Sequence, residues 1–213
     1  MSKILCVIPA RGDSKGLKNK NILKFNNMPL IFWSIEDALS NNLINKVVVS
    51  SDSDEILNLC KNKFSNIICD KRPDHLALDT SKTIDVLNYL IKKYSSFDYV
   101  CLLQPTSPLR EKKFIQNCCE QILENTEKDV LVSGYISHAY EYGTHQNKSR
   151  QELGGFFYDD GNVYIFKKRI ILENKWSSKN RIEVINNFPY TIEIDSYEEF
   201  KALEILHKNY HEL

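Results

Sequence analysis

The sequence predicts an α/β fold in which helices cover both faces of a mostly parallel β-sheet. Short apolar runs alternate with segments whose apolar residues recur at helical spacing, and this alternation is typical of βαβ units. The 213 residues suit one large domain, and the content of 42% hydrophobic and 26% charged residues is ordinary for a globular protein. We therefore expect a single domain over residues 1–213.

Apolar runs predict the strands, and segments of helical period predict the helices. The predicted strands span residues 3–10, 46–51, 98–103, 129–134, 162–166 and 189–195. The predicted helices span residues 30–42, 53–64, 80–94, 111–124 and a last helix that begins with a capping box of Ser196 and Glu199. Residues 135–161 show no clear period and are long for a connection. We expect a functional lid, an inserted arm or an interface element there.

Charge and composition exclude several classes of protein. The formal net charge is zero, which argues against a sequence-blind binder of nucleic acid. The first apolar run is too short for a signal peptide, and no run approaches the ~20 apolar residues of a membrane span. We expect a cytoplasmic protein without a membrane partner. The cysteines form no CxxC pair, and we expect them to be reduced and mostly buried: Cys6, Cys60, Cys69, Cys101, Cys118 and Cys119.

A loop rich in glycine and lysine, IPARGDSKGLKNKN, follows the first predicted strand. Ligands of parallel α/β sheets bind beyond the carboxyl ends of the strands, where this loop lies. Backbone N–H groups and cations such as Arg11, Lys15 and Lys20 are the groups that a triphosphate requires. The loop matches neither the Walker A pattern nor GxGxxG. An ordinary polar surface loop is therefore the alternative.

Four blocks of the sequence, in order, resemble motifs of the acylneuraminate cytidylyltransferases, also called CMP-sialic acid synthetases. The first loop is similar to A-R-x-x-S-K-G-x-x-x-K-N, and the other blocks are RPDHLALDT (72–80), LLQPTSPLR (102–110) and IEID (192–195). The resemblance covers nearly the whole chain. It implies the Rossmann-like nucleotidyltransferase fold, with residues 135–161 as a shortened dimerisation arm and a homodimer as the assembly.

The resemblance also implies roles for residues at the nucleotide. Arg11, Lys15 and Lys20 would be the catalytic cations that contact the phosphates, whereas Lys18 has no matching role. The implied nucleotide-binding residues are Ala10, Arg11, Lys15, Lys20, Asn21, Arg72, Ser81 and Thr83. Helix capping is the alternative role for Ser81 and Thr83, and it is the role we favour for Asp79. For Asp52, a structural N-cap role and a role in the site are equally expected.

The remaining site residues belong to the sugar and the metal. The resemblance implies that Gln104, Arg150 and Tyr164 bind the sugar acid, and we expect Arg110 to support a turn. Glu193 and Asp195 alternate along a predicted strand, so both project to the same side. Two such carboxylates hold Mg²⁺, or Mn²⁺ in its place, beside a triphosphate. The alternative is an exposed acidic edge, and Glu193 stands where the family usually has Asp.

The reaction implied by the resemblance is transfer of CMP from CTP to a nonulosonic acid of the sialic-acid type, with release of pyrophosphate. Its product would serve the synthesis of cell-surface polysaccharides. The alternatives are the same reaction on the eight-carbon acid Kdo and a catalytically silent binding domain of the same fold. CTP and an acidic sugar are the expected partners, with Mg²⁺ as cofactor.

Overall fold

A computed structural model describes residues 2–13, 16–141, 143–144 and 148–211, and gives only the backbone of residues 150, 210 and 211. The strands are β1 (Ile4–Pro9), β2 (Lys24–Phe25), β3 (Met28–Pro29), β4 (Ile44–Ser51), β5 (Ile67–Lys71), β6 (Tyr99–Leu102), β7 (Val130–Ser137), β8 (Phe156–Lys167) and β9 (Arg181–Ile185). The α-helices are α1 (Leu30–Leu39), α2 (Asp54–Lys63), α3 (Thr83–Lys93), α4 (Phe114–Glu124), α5 (Lys168–Leu172) and α6 (Tyr197–His211).

Seven of the strands form one sheet in the order β5-β4-β1-β6-β8-β7-β9. Strands β5, β4, β1 and β6 are parallel, whereas β8 runs antiparallel to both β6 and β7. Strand β9 closes the far edge, parallel to β7. The predicted fold class is confirmed, and the antiparallel β8 is the departure from a fully parallel sheet.

The two faces of the sheet are buried in two separate cores. On β1, Ile4, Cys6 and Ile8 pack with residues of α1, α2 and α4. Leu5 and Val7 face the other way and pack with residues of α3 and α5. This alternation explains why β1 reads as a continuous apolar run, because a strand covered on both faces has no polar side.

The stretch 135–161, which lacks a clear period, contains regular structure at both ends. Strand β7 continues to Ser137, β8 begins at Phe156, and these two residues are partners in an antiparallel ladder. Tyr135 and Tyr158 pack across the ladder with tilted rings whose centroids are 5.6 Å apart. Large aromatic side chains here are exposed, so the usual alternation of apolar and polar residues is missing. The two ends of the arm therefore form a β-ribbon that extends from the sheet.

The predicted strand over residues 189–195 is wrong. Turns begin the segment, with the Tyr190 N–H donating to the Asn187 carbonyl at 2.8 Å. Its backbone contact with the β6 side is the Ile194 N–H donating to the Thr106 carbonyl at 2.8 Å. The segment is extended without joining a ladder. Conversely, the sequence analysis did not predict three elements: β5, β9 and the short α5. Edge strands and a helix of one turn bury few side chains, so they show no strong periodic pattern.

The C-terminal helix begins as predicted. The Glu199 N–H donates to the Ser196 hydroxyl at 3.2 Å, and the Glu199 carboxylate accepts the Ser196 N–H at 2.8 Å. The apolar face of α6 packs on Phe25, Leu109 and Ile194. The helix therefore holds the end of the 189–195 segment against the rest of the domain.

The cysteines are all free, and all but the half-buried Cys69 are buried, as predicted. Among the residues placed by the structure, no helix is long and apolar enough to cross a membrane.

Candidate active site

A polar cleft of about 570 Å³ lies beyond the carboxyl ends of β1, β4 and β6. Most predicted site residues line it: Arg11, Lys20, Asn21, Arg72, Ser81, Thr83, Gln104, Glu193 and Asp195. They come from four separate parts of the chain. Gly16, Asp79 and Thr106 complete the polar wall. The tertiary fold therefore brings the four sequence blocks to one place.

The loop after β1 is anchored at two points. The Gly12 N–H donates to the Asp52 carboxylate at 3.0 Å, so Asp52 fixes the start of the loop. Further along, a Cβ on Gly16 would lie 2.3 Å from the Asp195 carbonyl oxygen, so only glycine permits this approach. Lys15 lies outside the described residues. The N-cap of α2 is Ser53 rather than Asp52, which corrects the capping alternative.

Lys20 joins the first loop to the carboxylate segment. Its side chain is only 12% exposed, and its Nζ donates to the Ile194 carbonyl at 2.6 Å. The same Nζ lies 3.4 Å from Oδ1 of Asp195, whose side chain is 81% exposed. Lys20 thus presents a fixed positive charge beside a carboxylate that faces the cleft.

Two buried polar residues form part of the cleft floor. The Asn21 amide donates to the Arg11 carbonyl at 2.9 Å. The Arg72 side chain donates to the Ser50 carbonyl at 2.8 Å and to the Ser50 hydroxyl at 3.3 Å. Burial lowers the pKa of Arg72 from its ordinary value, partly opposed by the charge of Asp52. Both residues are held rigidly, as a site that selects one base by shape and hydrogen bonds requires.

Arg11 is held at the mouth of the cleft. Its Nη1 donates to the Asp79 carboxylate at 3.1 Å and to the Leu78 carbonyl at 3.3 Å. Asp79 therefore lines the cleft, and its predicted capping role is wrong, because the residue before α3 is Lys82 and provides no side-chain cap. Sequence reasoning missed Asp79 as a site residue, although it lies inside the RPDHLALDT block.

The other nucleotide-side residues occupy supporting positions. The Ser81 hydroxyl donates to the His75 carbonyl at 3.0 Å, so it does not cap α3. Thr83 is the first residue of α3 and lines the cleft. Ala10 is buried and does not line the cleft. Its N–H donates to the Ser50 carbonyl at 3.0 Å, so it extends the pairing of β1 with β4.

Gln104 and Glu193 meet at the other end of the cleft. The Gln104 amide donates to the Gly161 carbonyl at 3.3 Å and to the Glu193 carboxylate at 3.4 Å. Burial, reinforced by the neighbouring Asp195, raises the pKa of Glu193 to about 7. A Cβ on Gly161, whose φ is +68°, would lie 1.6 Å from Glu193 Oε1. Gly161 is thus a site residue that the sequence did not reveal.

Arg110 supports the turn, as predicted. Its guanidinium donates to the Gln104 carbonyl at 3.0 Å and to the Asn162 carbonyl at 3.4 Å. It also donates to Asp37 at 3.2 Å, which balances its charge. Arg110 therefore clamps the end of β6 to β8 directly beneath Gln104.

One of the predicted sugar-side residues, Tyr164, stands apart from the cleft. Tyr164 is buried, donates its hydroxyl to Asp159 at 2.8 Å and packs on Phe166 and Trp176. The structure thus does not bring Tyr164 to the cleft lining, because its side chain projects into the core beneath α3 and α5. Arg150 begins a short 3₁₀ helix, and its side chain lies outside what the structure describes.

The metal candidates form a pair rather than a closed cage. Glu193 and Asp195 both line the cleft. Over the placed part of the chain there is no group of three or more His, Cys, Asp or Glu side chains that could hold a metal ion. Magnesium sites in phosphate chemistry use one or two carboxylates, with substrate phosphates and water as the other ligands. The donor set therefore fits Mg²⁺ bound together with a nucleotide.

Two bacterial proteins are similar to this chain over nearly its whole length. The chain is 32% identical to the post-translational flagellin modification protein B of Campylobacter coli, over 98% of this chain and 96% of the relative. It is 29% identical to a pseudaminic acid cytidylyltransferase of Campylobacter jejuni, over 99% and 98% of the two chains.

Among solved structures, a CMP-2-keto-3-deoxy-manno-octonic acid synthetase, solved with CTP, superposes with a TM-score of 0.75. The superposition covers 100% of both chains at 15% identity, so it supports the fold alone. A family model described as cytidylyltransferase matches residues 5–209. The chain therefore belongs to the cytidylyltransferase family of nucleotidyltransferases.

Proposed function

We propose that the chain transfers CMP from CTP to a nonulosonic acid and releases pyrophosphate. The observation that carries the proposal is one cleft in which the fixed cation Lys20 lies beside the carboxylates Asp195 and Glu193. The full-length similarity to a pseudaminic acid cytidylyltransferase makes pseudaminic acid the first sugar to test. CTP is a cytoplasmic metabolite, so we expect the chain to act in the cytoplasm.

The nucleotide occupies the end of the cleft formed by the first loop and the residues after β5. Arg72 and Asn21 are buried there and held by backbone carbonyls, which suits recognition of the cytosine edge. Ser81 and Thr83 lie beside them on the cleft wall. A site with fixed hydrogen-bonding groups rejects a base that leaves one of them unpaired. We therefore expect strong selection for CTP over UTP.

The sugar occupies the end that holds Gln104 and Glu193. Its anomeric hydroxyl oxygen attacks the α-phosphorus of CTP, the bond to the bridging oxygen breaks, and pyrophosphate leaves as the hydroxyl proton is lost. Negative charge grows on the departing oxygens. Lys20 is preorganised next to the carboxylate segment and Arg11 lies at the cleft mouth, so both cations are available to that charge.

Mg²⁺ is the proposed cofactor, held by Asp195 with Glu193 as the second ligand. When bound, it would neutralise charge on the phosphate oxygens. EDTA is expected to abolish turnover, and Mg²⁺ or Mn²⁺ to restore it. Asp195→Asn should require much more metal or fail, whereas Glu193→Gln should be the milder change, because the buried Glu193 is already drawn toward Gln104 and Gly161. Full activity in excess chelator would reject this cofactor.

A pyrophosphate-release assay tests the reaction itself. CTP and Mg²⁺ are supplied with pseudaminic, legionaminic and N-acetylneuraminic acids and Kdo, and each acid is repeated with UTP, ATP and GTP. The expected result is release with CTP and a nine-carbon acid. Release only with Kdo would shift the substrate to the eight-carbon acid. Release with no pair of substrates would favour a binding domain without catalysis.

We further propose that the active form is a homodimer assembled through the β7–β8–β9 face. A groove of about 780 Å³ on this face adjoins the active cleft, because Glu193 and Asp195 line both. Large apolar side chains stand exposed along the face: Ile136, Phe156, Tyr158, Ile185 and Phe188. Apolar patches of this kind mark interaction sites. A second subunit there would reach the sugar end of the cleft.

Sedimentation and kinetics test the assembly together. Ile136→Asp is expected to give monomers and to raise the KM for sugar. Leu39→Asp is the matched control, because Leu39 is also partly exposed but lies at the end of α1, which packs near β4 on the other half of the sheet. Arg150→Ala should raise the KM for sugar much more than that for CTP. A fully active monomeric wild type would overturn the dimer.

A further inference from the structure

The contact between Arg11 and Asp79 crosses the mouth of the cleft. Arg11 follows β1, whereas Asp79 belongs to the segment before α3, and the two are joined at 3.1 Å between Nη1 and Oδ1. The Leu78 carbonyl accepts from the same Nη1 at 3.3 Å. An arginine expected to bind the triphosphate is thus engaged by a carboxylate that lines the same cleft.

We propose that Asp79 is a latch: it holds Arg11 across the cleft mouth in the nucleotide-free protein and releases it to the triphosphate when CTP binds. The proposal rests on the proposed function, because it needs CTP in this cleft. Asp79 would then be a positioning residue that lowers the affinity of the protein for the nucleotide. Binding of CTP would then exchange one ion pair of Arg11 for another.

Exposure makes the exchange feasible. The Arg11 and Asp79 side chains are 33% and 55% exposed, and ion pairs this accessible contribute little because water competes for both charges. Once Arg11 turns to the phosphates, the Asp79 carboxylate can be solvated in place. A triphosphate offers more negative charge than one carboxylate and binds a guanidinium bidentately. The exchange therefore favours the nucleotide.

The other cleft cations are held in a different way. Arg72 is only 3% exposed and donates to the Ser50 carbonyl at 2.8 Å. Lys20 is likewise fixed by the Ile194 carbonyl at 2.6 Å. Both cations are largely buried and held by a backbone carbonyl, although Lys20 also lies 3.4 Å from the Asp195 carboxylate. Arg11 differs in exposure, because its side chain is 33% exposed and its partner Asp79 is 55% exposed, so a stronger anion can displace that contact.

The latch also provides a route for the departure of pyrophosphate. As the anion leaves, Asp79 is available to recapture Arg11 and thus competes with rebinding. The latch therefore lowers the affinity for both CTP and pyrophosphate. Removing the Asp79 charge should tighten the binding of either anion, by an amount set by how fully the latch is closed in the free protein.

Calorimetric titration without sugar tests the proposal, with CTP and then inorganic pyrophosphate as the titrants. Asp79→Asn keeps the shape of the side chain and is expected to tighten binding about threefold, the scale of an exposed ion pair. Asp74→Asn is the matched control, because Asp74 is an exposed carboxylate of the same segment that does not line the cleft. It removes the same charge and should leave affinity unchanged.

A double variant separates the latch from simple repulsion between Asp79 and the phosphates. In an Arg11→Ala background the contact between the two side chains no longer exists, so adding Asp79→Asn should produce a smaller gain in affinity than in the wild-type background. An equal gain in both backgrounds, or an Asp79→Asn protein that binds CTP no more tightly than wild type, overturns the latch. A wild-type protein that binds no CTP would overturn the proposed function and the latch together, whereas the first two outcomes leave the function standing.

Discussion

The first loop and the carboxylate segment face each other across the cleft, but they are built differently. The first loop follows a buried strand directly, and Lys20 reaches the cleft eleven residues after the end of β1. Glu193 depends on parts of the chain that are distant in sequence, since it packs on Gly161 and accepts from Gln104. Substitutions in the first region should therefore alter charge at the phosphates, whereas those in the second should alter geometry.

Loss of the Lys20 charge is the sharpest test of the first region. Lys20→Ala is expected to lower kcat on the order of 10²-fold, the usual effect of removing one preorganised transition-state contact. Lys18→Ala is the control, because Lys18 is exposed in the same loop and does not line the cleft. Steady-state kinetics should separate the two variants. Equal losses would mean that the loop acts only through its overall charge.

Gly161→Ala tests the second region without changing any charge. A Cβ there would overlap the Glu193 carboxylate, and the φ of +68° disfavours any other residue. Displacing the carboxylate should lower kcat/KM about tenfold, as small misplacements of site groups do. Gly154→Ala is the control, since a Cβ at Gly154 meets nothing within 4 Å. Unchanged kinetics for Gly161→Ala would show that the position of Glu193 does not matter.

The raised pKa of Glu193 gives a smaller effect, on stability. The folded protein holds the Glu193 proton up to a pKa of about 7, against an ordinary value of 4.5. Between these values the folded state binds more protons than the unfolded state, so this group's contribution to stability is lost as pH rises. In EDTA, Glu193→Gln should therefore raise Tm relative to wild type at pH 8 and change it little at pH 4.5.

The matched control for this comparison is Glu198→Gln, because Glu198 is an exposed carboxylate on α6. Its Tm difference from wild type should be similar at both pH values. A Glu193→Gln difference that does not grow with pH would mean that the carboxyl is hydrated in solution.

The smallest expected effect belongs to Tyr164, which lies outside both regions. Tyr164→Phe removes the hydrogen bond to Asp159 and should cost about 1 kcal/mol of unfolding free energy, the typical net value of one such bond. The KM for sugar should stay nearly constant. Tyr197→Phe, at an exposed tyrosine, controls for the loss of a hydroxyl. A large rise in the sugar KM would show that Tyr164 contacts the substrate, as the family resemblance implies.

Local sequence patterns were sufficient to predict the fold class and most of the residues that line the cleft. The buried strands β1, β4 and β6 produce apolar runs, and the residues after them lie at the ligand-binding edge of any parallel sheet. The motif blocks identified Lys20, Arg72 and Gln104, which all line the cleft. These features could be predicted because each lies in a short segment, and because burial on both faces of the sheet makes the strands continuously apolar.

Other features carried no periodic signal. Strands β7 and β8 extend beyond the body of the sheet with exposed aromatic side chains, so pairing between their backbones, rather than alternation, defines them. The segment over residues 189–195 has the composition of a strand but does not join the sheet. Its alternating carboxylates still line the cleft, because α6 and the Thr106 carbonyl hold Ile194 between them.

The sequence by itself determined the α/β class, the cation-rich loop and the order of the motif blocks, because each is encoded within a short stretch of chain. Only the tertiary structure decided that Asp79 engages Arg11, that Gly161 leaves room for the Glu193 carboxylate and that Tyr164 packs in the core with residues of α3. Each of these depends on segments tens of residues apart meeting at a particular distance. Burial, charge pairing and steric exclusion all depend on the distance between these segments in the folded chain, and a local sequence pattern does not contain that distance.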